Sequence, residues 1–301
     1  MADELGGSSA RQFEAGELAR LLPFPKADAH KYSRGKLAIV GGSASYPGAA
    51  CLAAYASQRA GAGYTEVWCD PASVDVVRQC RPSLVVRSWE RFAAEPLAPS
   101  REGRPVAYAV GSGFDGLPVH AAVEEGLVRA ALEADAPVLV DGGGLAVLAA
   151  EPCRGALEAR RRAGAPTVVT PHGGEAARLA RPLGIDVADP AAAARALACA
   201  YGTVVALKGP DTYVSDGSDV VAVTEGTPAL AKAGTGDVLA GVIGALLAQG
   251  TGALDAAVLG ATLHARAGRL AEVRLTSIAV TAEDVIEALP AAIAELAREL
   301  G

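Results

Sequence analysis

An α/β fold built on a mostly parallel central sheet is what this sequence predicts, and three observations carry the prediction. Short apolar runs recur along the 301 residues, each ending in a glycine or polar turn and most leading into a stretch with helical spacing. Apolar residues make up 51% of the chain and no long linker interrupts the pattern, so one large domain over residues 29–301 is expected behind an N-terminal tail of residues 1–28. Between two β-rich runs, Asp216-Gly217 has the composition of a tight hairpin turn, which makes the sheet mixed rather than purely parallel.

Taken in order, residues 1–16 are Gly/Ser-rich without periodicity and are expected to be disordered, with a short helix at 17–22 before Pro23 and Pro25. The first strand covers 37–40. It opens into Gly41-Gly42-Ser43 and then a small-residue helix over 48–60, led by Pro47 and closed by Gly61-Ala62-Gly63. Strands follow at 64–69, 84–86 and 106–110, with a short helix at 73–80 and a polar loop at 90–104. The strand at 106–110 ends in Gly111-Ser112-Gly113-Phe114-Asp115, and a helix spans 119–134. Strand 138–140 ends in Asp141-Gly142-Gly143-Gly144, strand 167–169 in Thr170-Pro171-His172-Gly173-Gly174-Glu175, and strand 204–207 in Lys208-Gly209. In an open parallel sheet, ligands bind beyond the carboxyl ends of the strands, so these turns point to one shared crevice. Two hairpin strands at 213–215 and 220–223, a buried helix after Gly234, and helices at 254–272 and 282–300 complete the chain.

Composition excludes several function classes. A net charge of −7 with scattered basic residues argues against a nucleic-acid surface, and an aromatic content of 4% argues against stacking on bases. No apolar run reaches the roughly 20 residues of a membrane span, and the acidic, polar start lacks a secretory signal, so a cytoplasmic location is expected. Cys51, Cys69, Cys80, Cys153 and Cys199 show no metal-ligand spacing and are expected to be reduced core residues. The run Arg160-Arg161-Arg162 is expected at a solvated helix end.

The chemistry concentrates in residues 226–250, centred on Ala233-Gly234-Thr235-Gly236-Asp237. A glycine loop feeding a helix leaves amides without intrahelical partners, and with the helix dipole these favour phosphate oxygens. Asp237 at that start either caps backbone amides or takes a proton from a hydroxyl while the amides hold a phosphoryl group. Lys208, at a strand end, either meets phosphates or sits in a surface turn. His172, between Pro171 and two glycines, is a ligand contact or a structural residue; Asp141 holds Mg²⁺ through water or closes a turn. His30, His120 and His264 receive no role.

Four segments in order, HKYSRGKLAIVGGSASYPGAA, TPHGGE, LKGPDT and AGTGDVLAGVIGALLAQG, resemble the ADP/ATP-dependent NAD(P)H-hydrate dehydratases, over about residues 29–289. The resemblance implies a ribokinase-like three-layer α/β/α sandwich. It also implies a lyase that returns NADHX and NADPHX, the hydrated reduced nicotinamide cofactors, to NADH and NADPH at the expense of ADP or ATP with Mg²⁺. Carried over by position, Ala49, Gly111, Gly113, His172 and Asp237 would contact the hydrate, with Asp237 as the base. Lys208, Gly209, Pro210, Asp211, Thr212 and Gly236 would bind the adenine nucleotide, and Gly234, Thr235 and Gly236 would form the anion hole; no residue is assigned as a certain metal ligand.

The chain departs from the family pattern at Asp141-Gly142-Gly143-Gly144-Leu145-Ala146, which lacks a second acid and an Asn, and at Lys232, which adds a charge beside the anion site. Lys232 either neutralises phosphate or points to solvent. The length leaves no room for the epimerase domain that many bacteria fuse to the dehydratase, so a separate epimerase or spontaneous epimerisation would supply the reactive isomer. A homo-oligomer, with a tetramer as one form, is implied as well. Two other readings remain open at this stage: a ribokinase-like kinase of a vitamin precursor such as hydroxyethylthiazole, and a non-catalytic nucleotide-binding protein.

Overall fold

A computed structural model of the chain describes residues 10–149 and 151–300. Its strands are β1 (Lys36–Val40), β2 (Tyr64–Cys69), β3 (Val85–Ser88), β4 (Val106–Val110), β5 (Val138–Val140), β6 (Thr167–Val169), β7 (Val204–Leu207), β8 (Thr212–Ser215) and β9 (Val220–Val223). They form one sheet in the order β3-β2-β1-β4-β5-β6-β7-β8-β9, parallel through β7 and antiparallel for the last two. The chain therefore winds outward from β1 to β3, then crosses to the other side of β1 to place β4. That reversal opens a crevice beyond the strand ends between Gly41-Gly42 and Gly111-Ser112-Gly113.

Both faces are covered, which is why the parallel strands read as unbroken apolar runs. Successive residues of β1 alternate between two cores. Leu37 and Ile39 pack with α2 (Pro47–Arg59), α3 (Val74–Cys80), α9 (Thr235–Ala248), α10 (Ala253–Ala279) and α11 (Ala282–Ala297); Ala38 and Val40 pack on the opposite side. There the layer consists of α4 (Ala121–Glu133), α5 (Gly143–Leu148), α6 (Glu151–Ala163), α7 (Gly173–Ala180) and α8 (Pro190–Tyr201). The three-layer arrangement matches the expectation. Helix α9 is buried at every position from Val238 to Ala248, so it lies inside the protein rather than on it. Gly241 lets α2 close in: a methyl there would come within 2.2 Å of the Ala53 carbonyl oxygen. Tight packing of α9 against α2 and the sheet fixes where its first turn points.

Several expectations change. The part of the expected tail that is described is docked: α1 (Ala15–Arg20) buries Leu18 and Ala19, and Arg11 pairs with β9 through hydrogen bonds of 2.8 Å to Val220 and from Ala222. Residues 1–9, also expected to be disordered, lie outside the described residues. Helix α10 runs on to Ala279, with a kink at Thr276 (φ 68°, ψ 157°), and α11 ends at Ala297 before a 3-10 turn. All five cysteines are free as expected, yet only Cys69 and Cys153 are buried, while Cys80 and Cys199 are exposed.

Arg160 is a further correction: it is 5% exposed and not solvated. Its guanidinium donates to the carbonyls of Leu132, Ala134, Ala136 and Pro166 and to Thr167 Oγ1, at 2.8 to 3.0 Å. Arg161 and Arg162 do lie outside, paired with Glu158.

Candidate active site

The strand-end turns stack on one another through the backbone. Gly42 donates to the Ser112 carbonyl at 2.9 Å, Asp141 to Val110 at 3.1 Å, Thr170 to Val140 at 3.2 Å and Lys208 to Pro171 at 2.8 Å. The last bond continues the β6–β7 pairing one step past the sheet and sets His172 beside Lys208. Side chains then meet across the same edge. Lys208 Nζ lies 2.8 Å from Asp141 Oδ1, which also accepts from Thr170 Oγ1 at 2.6 Å, and Asp141 Oδ2 accepts from Ser112 Oγ at 3.4 Å. Asp141 is thus the counter-ion that holds the lysine, supported by two hydroxyls.

Asp237 occupies the first turn of α9, next to this cluster. Burial raises its pKa to about 6, the nearby Asp141 charge adds to the rise, and the Ser112 hydroxyl and Lys208 oppose it. Burial acts to lower the Lys208 pKa, but Asp141, Glu175 and Asp237 outweigh it and the value is raised, so the ammonium stays charged. A carboxylate poised near neutrality beside a fixed cation suits proton removal from an approaching hydroxyl.

The loop before α9 has a division of labour that spacing does not reveal. Gly234 has φ 92° and packs closely, since a methyl there would lie 2.7 Å from Leu52 Cδ1. The Thr235 hydroxyl turns inward to the carbonyls of Leu230 and Lys232 at 2.7 and 2.8 Å, and its amide also reaches Lys232. Gly236 faces the lysine: a methyl there would stand 3.5 Å from Lys208 Nζ. The amides of Gly236 and Asp237 lie in the first turn of α9, where N–H groups have no intrahelical partner.

A cavity of about 730 Å³ extends from this point, lined by Lys208, Gly209, Pro210, Thr212, Gly236 and His172 among others. Thr227, Pro228, Leu230, Ala231, Lys232 and His264 also line it, whereas Asp211 does not. Ala49, Gly111 and Gly113 lie outside that lining, at the crevice. Gly113 (φ 74°) abuts Ala49 and the Tyr46 carbonyl, and a methyl on Gly111 (φ 114°) would come within 2.1 Å of the Asp141 carbonyl oxygen. Between the two glycines, the Ser112 hydroxyl acts on Asp237.

His172 also caps α7, with Nδ1 accepting from Gly174 at 3.0 Å and its backbone amide donating to Glu175 Oε2 at 2.8 Å. Ser112, Thr170, Glu175 and His264 were not assigned from sequence, although Ser112 and Thr170 stand in turns that were. His264 is held neutral, burial lowering its pKa to about 4. The glycines at 143 and 144 have a local reason: methyls there would come within 2.5 Å of Phe114 Cβ and 3.0 Å of Gly111 Cα, so this chain packs the β4 turn directly onto α5.

For Mg²⁺, the test is the donor set. No cluster of three or more His, Cys, Asp or Glu side chains occurs among the described residues, and Asp141 is already engaged by Lys208, Thr170 and Ser112. Mg²⁺ retains water and takes one or two carboxylates plus substrate phosphates. Asp141 and Asp237 fit an ion of that kind brought in on a nucleotide, not a protein-built cage.

A family model described as NAD(P)H-hydrate dehydratase matches residues 37–291. Among curated relatives, the bifunctional NAD(P)H-hydrate repair enzyme Nnr of Mycobacterium tuberculosis is 39% identical over 246 residues, which are 81% of this chain and 47% of the relative. The chain spans about half the length of the curated relatives it matches. Among solved structures, the ADP/ATP-dependent NAD(P)H-hydrate dehydratase of Bacillus subtilis, co-crystallised with ATP/Mg²⁺, superposes with a TM-score of 0.82 at 25% identity, covering 96% of this chain and 99% of that one. A ribokinase-like superfamily protein of Enterococcus faecalis superposes at 0.77 with 20% identity, covering 98% and 99%, which supports the fold alone.

Proposed function

The chain belongs to the NAD(P)H-hydrate dehydratase family, and from that premise we propose that it dehydrates NADHX and NADPHX to NADH and NADPH, consuming ADP or ATP and releasing phosphate. The observation that carries this reading is that Asp237 is within reach of both the Ser112 hydroxyl in the crevice turn and Lys208, which lines the cavity with Gly236. A hydrate in the crevice, against Ala49, Gly111 and Gly113 and extending to His172 on the cavity wall, presents its hydroxyl to Asp237. An adenine nucleotide in the cavity, against Lys208, Gly209, Pro210 and Thr212, brings its terminal phosphate to the same point.

Hydroxide is a poor leaving group and phosphate a good one. Asp237 removes the hydroxyl proton as the oxygen attacks the terminal phosphorus, and the bond to the departing nucleotide breaks. The ring nitrogen lone pair then expels the phosphate to leave an iminium, and loss of a proton from the adjacent ring carbon restores the dihydropyridine. The Gly236 and Asp237 amides and Lys208 stabilise the charge that accumulates on the phosphoryl oxygens. When bound, Mg²⁺ supplies further neutralisation of the phosphates. Asp141 acts through Lys208 by fixing where the ammonium points.

The reading extends to a cytoplasmic enzyme assembled from several copies, with an epimerase acting upstream. Exposed Val273 and Ile278 on α10 support a contact between copies, and no described helix is long and apolar enough to cross a membrane. The experiment is recovery of absorbance at the NADH band from NADHX with ADP or ATP. Dehydration by the wild type, reduced by a factor of about 10² to 10⁴ in Asp237→Asn while nucleotide binding persists, is the expected result. Phosphorylation of a vitamin precursor with no dehydration would move the chain to the kinase reading, and nucleotide binding with neither activity to the non-catalytic one.

A further inference from the structure

The cavity beside Asp237 has no carboxylate in its described lining, and its two lysines differ in how their charge is spent. Lys208 is paired with Asp141 at 2.8 Å, so much of its charge is already offset. Lys232, on the rim, has no ion pair among the described residues; its Nζ donates to one neutral acceptor, the Ile278 carbonyl, at 2.6 Å. An acid that feels its charge, Asp284, is committed to the Thr281 amide and hydroxyl at 2.9 and 2.8 Å and to Arg274 at 3.5 Å. An exposed ammonium held by a carbonyl can exchange that bond for a charge-assisted one to phosphate at a net gain. The carbonyl belongs to the last residues of α10, beyond the kink at Thr276, the one non-glycine residue with positive φ among those described.

Position along the wall determines which phosphate Lys232 reaches. Whether the co-substrate is ADP or ATP, the phosphoryl group being transferred has to lie against Asp237, Gly236 and Lys208. With that group fixed, the phosphate chain of ATP is one unit longer than that of ADP and extends further along the cavity wall, which Lys232 lines together with Thr235 and Gly236. We propose that Lys232 is a specificity-determining residue for the co-substrate, gripping the phosphate that ATP carries beyond ADP. This rests on the cavity being the adenine-nucleotide site.

The test compares wild type, Lys232→Thr and Lys232→Arg in dehydration of NADHX with ATP and, separately, with ADP. In Lys232→Thr the KM for ATP should rise about tenfold more than the KM for ADP, with kcat little changed, and Lys232→Arg should restore most of the ATP preference. The difference should shrink as salt is raised, because the lysine is exposed. Equal changes with both nucleotides would overturn the proposal and leave Lys232 as a structural tie to Ile278, as would no change with either. Titration calorimetry of ATP and ADP on the same variants keeps this separate from the dehydratase reading. A wild type that binds both nucleotides yet dehydrates nothing refutes the activity, while the ATP-to-ADP affinity ratio still decides on Lys232.

Discussion

At the scale of single residues, Asp237, the proposed base, would have to be ionised to take a proton, in a place that disfavours ionisation. Its pKa is raised from 3.8 to about 6, so kcat/KM should climb as pH rises through 6 and level off above. The same shift carries a stability cost whose sign is fixed. In the window from 3.8 to about 6 the folded state holds the proton more tightly than the unfolded chain, so stability falls as pH rises through that window. Asn at this position removes the titration. Asp237→Asn should therefore melt above the wild type at pH 7 to 8, by on the order of 2–3 kcal/mol, and lose that advantage below pH 4. Thermal unfolding across pH checks it; a variant less stable than wild type at pH 8 would mean that Asp237 contributes more to the fold than it costs. Lys208 shows the opposite balance, because the carboxylates around it more than offset its burial.

At the scale of elements, the site depends on straps far from it. Arg160 links α6 to the end of α4, the entry to β5 and the entry to β6 through five hydrogen bonds, all made at the edge opposite the turns that hold Asp141 and Thr170. Its replacement by Met removes a donor from four carbonyls, of which those of Ala134 and Pro166 keep backbone donors in Ala136 and Val138. Arg160→Met should cost about 3–5 kcal/mol in urea unfolding, and Arg160→Lys most of that, since an ammonium cannot reach four carbonyls in a fork. A loss under 1 kcal/mol would show that water takes over the guanidinium's role. This strap also marks where the sequence stops being legible. Glycine turns after buried strands announce themselves, because a parallel strand covered on both faces is a short apolar run with an abrupt end, and the turns at 41–43, 111–115, 170–175 and 208–209 were found in that way. Arg160 sits in a run of three arginines, and nothing local distinguishes the one that folds inward. The Lys208–Asp141 pair spans 67 residues and becomes visible only once β5, β6 and β7 are known to be neighbours. The inward turn of the Thr235 hydroxyl is likewise set by the loop path, not by the GTGD pattern.

At the scale of the whole molecule, the parallel sheet separates function from support. All the site turns lie at one edge, whereas the N-terminal segment closes the other end. Strand β9 is the sheet's last strand, and it enters at Val220 on the edge away from Lys208, because β8 and β9 reverse direction. Arg11 pairs with it there, and Leu18, Ala19 and Leu22 pack into the core that α11 shares. The segment read as a tail in the sequence thus covers an open strand edge and part of a core. Burying two leucines contributes roughly 3–6 kcal/mol before the cost of ordering the segment, so a net stabilisation of about 1–3 kcal/mol is reasonable. A chain starting at Pro23 should then unfold about 3–10 °C lower and aggregate more readily, with KM for the nucleotide and kcat within about twofold of the full chain at 20 °C. Scanning calorimetry and light scattering measure the first pair, and the NADHX assay the second. If the truncated chain kept its melting temperature but lost nucleotide affinity, the separation of the two edges would be wrong, and the segment would have to act on the cavity through Val223, the β9 residue that lines it.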